Sequence, residues 1–166
     1  MENLYYTIIV SAIIIEYLLS SVGSFLDLRN ITPEIPKDFQ DAYDEEKYSK
    51  SQEYLKARTK FSLFSSTFSL ILIMVVIHTG IFGNLNVFVN TLTDHYMLQG
   101  LLFIAIIYFF QDIISLPFSI YSTFVIEERF GFNKTSTGLF ISDKIKGYAL
   151  FIVLGSIIIS PILYLF

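Results

Sequence analysis

One stretch sets side chains that could do chemistry around a specific turn. "FVIEERFGFNKTSTGLFISDKIKG", residues 124–147, places Glu127, Glu128 and Asp143 with Arg129, Lys134, Lys144 and Lys146 around a Gly-Phe-Asn turn. Two neighbouring carboxylates could serve as acid and base, or hold a metal ion. Adjacent helical residues point about 100° apart, however, so Glu127 and Glu128 do not converge on one ion. Charge pairing that ties the segment down is the better reading.

Elsewhere candidates are sparse. Glu16 and Asp112 each interrupt an apolar block, where an ionisable group is costly unless partnered and is therefore a functional suspect. Read boldly, the two would line an ion path in a small transporter; read plainly, each hydrogen-bonds to Tyr, Ser or Gln. His78 and His95 are the only histidines, and no HExxH pattern occurs. There is no cysteine, so thiolate metal sites and disulfides are excluded. No base stands beside a Ser or Thr in a nucleophile pattern, and no Gly-rich phosphate loop is present. A net charge of −4 without a basic-aromatic surface argues against a nucleic-acid partner.

The elements that must carry these residues are membrane helices. Of the 166 residues 54% are hydrophobic and only 16% charged, and the apolar ones come in long blocks. Four blocks can cross a hydrocarbon core of about 30 Å: about 4–22, 61–82, 97–120 and 147–166. None alternates with period two, so helices rather than barrel strands are expected. The first block could be a secretory signal with small residues at Ser20–Ser24, but no Lys or Arg precedes it. The fold class is thus all-α: a polytopic membrane protein with four transmembrane helices and two helical cytoplasmic loops, about 25–60 and 121–146.

All eleven Lys and Arg residues lie in those two loops, which places the loops in the cytoplasm and both termini outside it. In the first loop Pro33 and Pro36 break any helix continuing from the first block. "KDFQDAYDEEKYSKSQEYLKARTKF" then reads as a solvated helix entering the membrane as the second block. Phe39, Tyr43, Tyr54 and Leu55 offer it a packing stripe, and Glu46–Lys50 and Glu53–Lys56 offer ion pairs. In the second loop a kink is expected at Pro117 and a positive φ at Gly131, with Asn133 capping the helix that follows.

"LPFSIYSTFVIEERFGFNKTSTGLFISDKIKG", Leu116–Gly147, resembles the N-terminal membrane domain of the CAAX prenyl proteases. The matching positions are Pro117, Tyr121, Phe124, Ile126, Glu127, Gly131, Phe132, Asn133, Asp143 and Lys146. A second match, to a Lys-Ser-x-x-Tyr-x-x-x-Lys segment, runs through Lys50, Ser51, Tyr54 and Arg58. The resemblance covers essentially the whole chain. It implies a water-filled chamber walled by membrane helices and a zinc endopeptidase acting on the C-termini of CAAX or membrane-associated proteins. The HExxH helix and third zinc ligand belong to a later part of that family, so no catalytic or zinc residue maps onto this sequence.

The expectation is therefore the N-terminal, chamber-forming half of a membrane zinc endopeptidase, inactive alone. Glu127, Arg129, Asn133, Asp143 and Lys146 would hold the second loop by ion pairs and capping. Its partners would be the lipid bilayer, the catalytic C-terminal half and protein or peptide substrates. The abrupt apolar end "SPILYLF" suggests truncation. A non-catalytic scaffold that kept only this domain is the alternative from another class. The minimal length and short loops lean towards a bacterial inner membrane over the endoplasmic reticulum.

Overall fold

The computed structural model describes residues 2–36 and 44–165, and all regular structure in them is helical. The elements are α1 (Glu2–Asn30), α2 (Glu45–His78), α3 (Ile81–Leu92), α4 (Tyr96–Tyr121), a π-helical turn (Ser122–Glu127), α5 (Glu128–Phe130) and α6 (Thr137–Leu165). Four stretches are long and apolar enough to span a bilayer: Leu4–Asn30, Glu45–His78, Tyr96–Phe130 and Thr137–Leu165. Their apolar side chains do not fold into a core. Leu19 is 70% exposed and Ile158 62%, and the buried hydrophobes among the described residues are Ile35, Val89, Ile126 and Phe130. Apolar surface of that extent on unbroken helices is what lipid solvates, so this is an all-α integral membrane protein.

Several boundaries differ from those expected. α1 runs on to Asn30, and α6 begins at Thr137 rather than near residue 147. The second basic connection thereby shrinks to the short link between α5 and α6. Ser136 makes the early start possible: its Oγ accepts the Leu139 amide at 3.2 Å, the place of an N-cap that the sequence suggested for Asn133. Asp44 does the same for α2 by accepting the Lys47 amide at 3.0 Å, and from there one helix continues to His78. Pro117 sits inside the α4 helix and does not end it. The stretch between the second and third expected blocks, about residues 83–96, holds most of α3. Its Gly and Asn residues hide the helix, but Phe82, Leu85 and Val89 fall on one face, and Val89 is 1% exposed. Phe39 and Tyr43 of the expected packing stripe lie outside the described residues.

The chain divides into two compact units. One comprises Met1–His78 with Ile120–Asn133, the other Thr79–Ser119 with Lys134–Phe166. In the first, α1 packs along α2, and Tyr17 reaches Thr67 at 2.7 Å. The Thr67 hydroxyl is already donating to the Leu63 carbonyl, so Tyr17 is the donor in this bond. In the second, α4 meets α6 closely at Gly100, where an added Cβ would stand 2.6 Å from Leu163 Cδ1. Small residues let membrane helices approach in this way.

The first unit closes with a Schellman turn. Gly131 has φ 75°, Phe132 N–H donates to the Glu127 carbonyl at 2.8 Å, and Gly131 N–H donates to the Glu128 carbonyl at 3.0 Å. A Cβ at 131 would meet only Lys50 Nζ at 3.6 Å, an ordinary contact. The glycine is therefore required by its backbone and not by space. Gly131→Ala is expected to cost about 1–2 kcal/mol, and Gly131→Asn less, in melts of the detergent-solubilised chain followed by circular dichroism. Equal melting of all three proteins would refute the assignment.

Candidate functional site

In the first unit the residues of the family-like motif collect against α2. Tyr54 and Phe61 are two turns apart and so lie on one face of that helix. Tyr54 meets the Phe130 ring edge-on at 5.7 Å and the Phe132 ring at 4.6 Å, and Phe61 meets Tyr121 at 4.9 Å. Ile126 and Phe130 are buried, and Phe124 is half-buried. Centroid spacings of this kind are the favoured aromatic geometries. Leu55, the other stripe residue, is 41% exposed.

The charged residues of this region do less than their number suggests. Glu127 acts through its backbone, since its carbonyl accepts both the Phe132 amide and the Asn133 amide at 3.2 Å. Asn133 Nδ2 donates to Glu128 Oε2 at 2.8 Å, which ties the turn to the helix it leaves. Arg129 lies over the Phe130 ring, its Cζ 5.4 Å from the centroid. Neither Glu127 nor Arg129 makes an ion pair among the described residues, and the Glu46–Lys50 and Glu53–Lys56 pairs are not closed either. Glu16 is exposed and lines a cleft of about 200 Å³ with Tyr17, Ser20, Ser66 and Ser69.

In the second unit a part-buried polar cluster joins α4 and α6. Lys144 and Tyr148, one turn apart on α6, both face Asp112 on α4. Lys144 Nζ donates to Asp112 Oδ1 at 2.5 Å and Tyr148 Oη donates to Oδ2 at 2.5 Å, so each carboxylate oxygen has its own donor. The side chain of Asp112 is only 15% exposed. One turn away, Tyr108 stacks on Phe151 with 3.7 Å between centroids and 5° between planes. Asp143 and Lys146 pair with each other at 3.5 Å on the exposed side of the same helix. Sequence reasoning singled out Asp112 but missed its pairing with Lys144 and Tyr148; their one-turn spacing across the start of the last apolar block was the available signal.

The described residues contain no group of three or more His, Cys, Asp or Glu side chains able to hold a metal ion. His78 and His95 are both exposed. The described residues thus offer no set with zinc-ligand spacing. What they do form is two aromatic and polar seams that hold helices together.

Comparison with known proteins gives the arrangement its context. Residues 25–166 match the family model described as the CAAX prenyl protease N-terminal region, with five membrane helices. The chain belongs to that family. Among its relatives, the CAAX prenyl protease 1 homolog of Arabidopsis thaliana is 31% identical across 95% of this chain and 39% of its own length. The CAAX prenyl protease 1 of Saccharomyces cerevisiae is 33% identical across 80% of this chain and 30% of its own. The crystal structure of S. mikatae Ste24p superposes with a TM-score of 0.81 at 32% identity, covering 95% of this chain and 38% of that one. The chain thus spans less than two-fifths of the length of these family members.

The Asp112 cluster makes a quantitative expectation. Asp112→Asn and Lys144→Met should each destabilise the detergent-solubilised chain, and the double variant should lose less than their sum, with a coupling of about 1–2 kcal/mol. Additive losses in a thermal-melt cycle would show that the contact does not hold the seam.

Proposed function

We propose that this chain is the N-terminal membrane portion of a CAAX-prenyl-protease-type zinc endopeptidase. Its helices wall a chamber, and its basic connections are presented to a catalytic half carrying the HExxH helix. The observation that carries this reading is the superposition on Ste24p over nearly the whole chain at 32% identity. Proteins bearing a CAAX or other membrane-associated C-terminus would be the substrates. Zinc and its ligands would come from the catalytic half, because none of the described residues form a metal cluster. In this reading Pro117, Tyr121, Phe124, Gly131, Phe132 and Asn133 shape the connector, with Glu127 and the Asp143–Lys146 pair helping to hold it.

The topology belongs to the same proposal. All Lys and Arg residues lie in the Arg29–Lys60 and Arg129–Lys146 regions, which sets those regions in the cytoplasm and both termini outside it. The relatives named above are eukaryotic, which lends no support to the length-based lean towards a bacterial inner membrane. The absence of native cysteine makes the orientation directly measurable. A cysteine at Lys146 should react with an impermeant maleimide from the cytoplasmic side, and one at Asn86 from the opposite side. The reverse labelling pattern would overturn the topology.

Function is tested by joining the chain to the HExxH-bearing region of the Arabidopsis thaliana relative. The fusion should cleave a farnesylated CAAX peptide, lose that activity to a chelator and recover it with added zinc. A fusion that inserts and folds but shows no chelator-sensitive cleavage would leave the non-catalytic scaffold as the reading.

A further inference from the structure

In the first unit, a cleft of about 280 Å³ opens between α2 and the π-helical turn with α5. Its lining is mostly apolar, with Phe61, Tyr121, Val125 and Ile126, but Lys60 and Arg129 stand in it as well. Neither cation makes an ion pair among the described residues. Arg129 Cζ lies over the Phe130 ring, 5.4 Å from its centroid, a contact that places the cation at the cleft without consuming a hydrogen-bond acceptor. Glu127 is not among the residues that line the cleft, and Glu128 already accepts a hydrogen bond from Asn133.

The depth of the cleft says what kind of anion reaches it. On α2 the charges stop at Lys60, and Phe61–Ile77 carries none. On the opposing helix, Ile113–Ile126 is uncharged and charge resumes at Glu127. Both walls of the cleft therefore pass from hydrocarbon to water at the same place, with Phe61 and Tyr121 at the boundary as interfacial aromatics. Phospholipid headgroups occupy that level, and their phosphates are drawn to clustered Lys and Arg. We propose that this cleft is a binding site for an anionic phospholipid. Its phosphate sits between Lys60 and Arg129, and its proximal acyl chain lies on Phe61, Tyr121 and Val125. The site does not depend on any proteolytic activity.

The test uses the whole chain, reconstituted in phosphatidylcholine vesicles with or without phosphatidic acid and then examined by native mass spectrometry. Wild type should retain phosphatidic acid in preference to phosphatidylcholine. Retention should fall about fivefold for each cation removed, in Lys60→Gln and in Lys60→Gln/Arg129→Gln, and survive in Lys60→Arg/Arg129→Lys. Lys146→Gln, outside the cleft, should leave it unchanged. Should Arg129→Gln fail to fold, Lys60→Gln alone decides, because that exposed helix position tolerates the change. Unchanged retention in Lys60→Gln, or an equal loss in Lys146→Gln, would overturn the proposal. Displacement of the lipid by millimolar inorganic phosphate in detergent would equally reject a lipid site, and show a free-anion site instead.

Discussion

A bilayer core offers no water to a backbone amide, and that constraint organises everything else in the molecule. Each chain segment at membrane depth must satisfy its N–H and C=O groups internally, so the four long apolar stretches are helices. The same rule explains how they end. Where a helix leaves the core, its terminal groups need partners, and the chain supplies Asp44, Ser136 and the Gly131 turn for that purpose. Helix ends are thus set by capping chemistry and not by where the apolar run stops.

The constraint also governs side chains. A carboxylate inside such a protein is tolerable only if its charge and both oxygens are matched, and Asp112 meets that condition with Lys144 and Tyr148. Because both donors come from α6, satisfying the carboxylate fixes the register of α6 against α4. The Tyr108–Phe151 stack and the close approach at Gly100 follow from that register. A carboxylate so completely engaged is poorly suited to carry ions, which weighs against reading Asp112 as part of a transport path. The polar cluster is better understood as a specificity device that selects one alignment of otherwise uniform apolar helices.

Much of this was legible from residue pattern alone. Hydrophobic blocks disclose the helices because the solvent they match is thick and uniform, and the Gly-Phe-Asn turn is legible because only a left-handed residue completes it. The less legible features are those decided between segments. α3 is obscured by three asparagines and a glycine that disfavour a helix locally, while the packing of Phe82 and Val89 overrides them. The expected ion pairs around Glu127 and Arg129 are replaced by a carbonyl and an aromatic face, alternatives that charge counting does not rank. Lys144 and Lys146 are alike in sequence, two lysines in one charged cluster. Only the helical phase, relative to a partner thirty-two residues away, separates them.

The two seams divide labour in a way that suits a wall. In the second unit, charge and stacking set the alignment of α4 and α6. In the first, aromatic rings on α2 receive the Phe130–Phe132 turn where the chain emerges from the apolar zone. Rings suit the emerging turn because they pack as well beside headgroups as beside hydrocarbon, whereas an ion pair there would be screened and weak. The cations at this level are consequently not needed to hold the protein together. Lys60 and Arg129 make no ion pair among the described residues, which is why a ligand from the surrounding membrane accounts for their charges better than a structural role does.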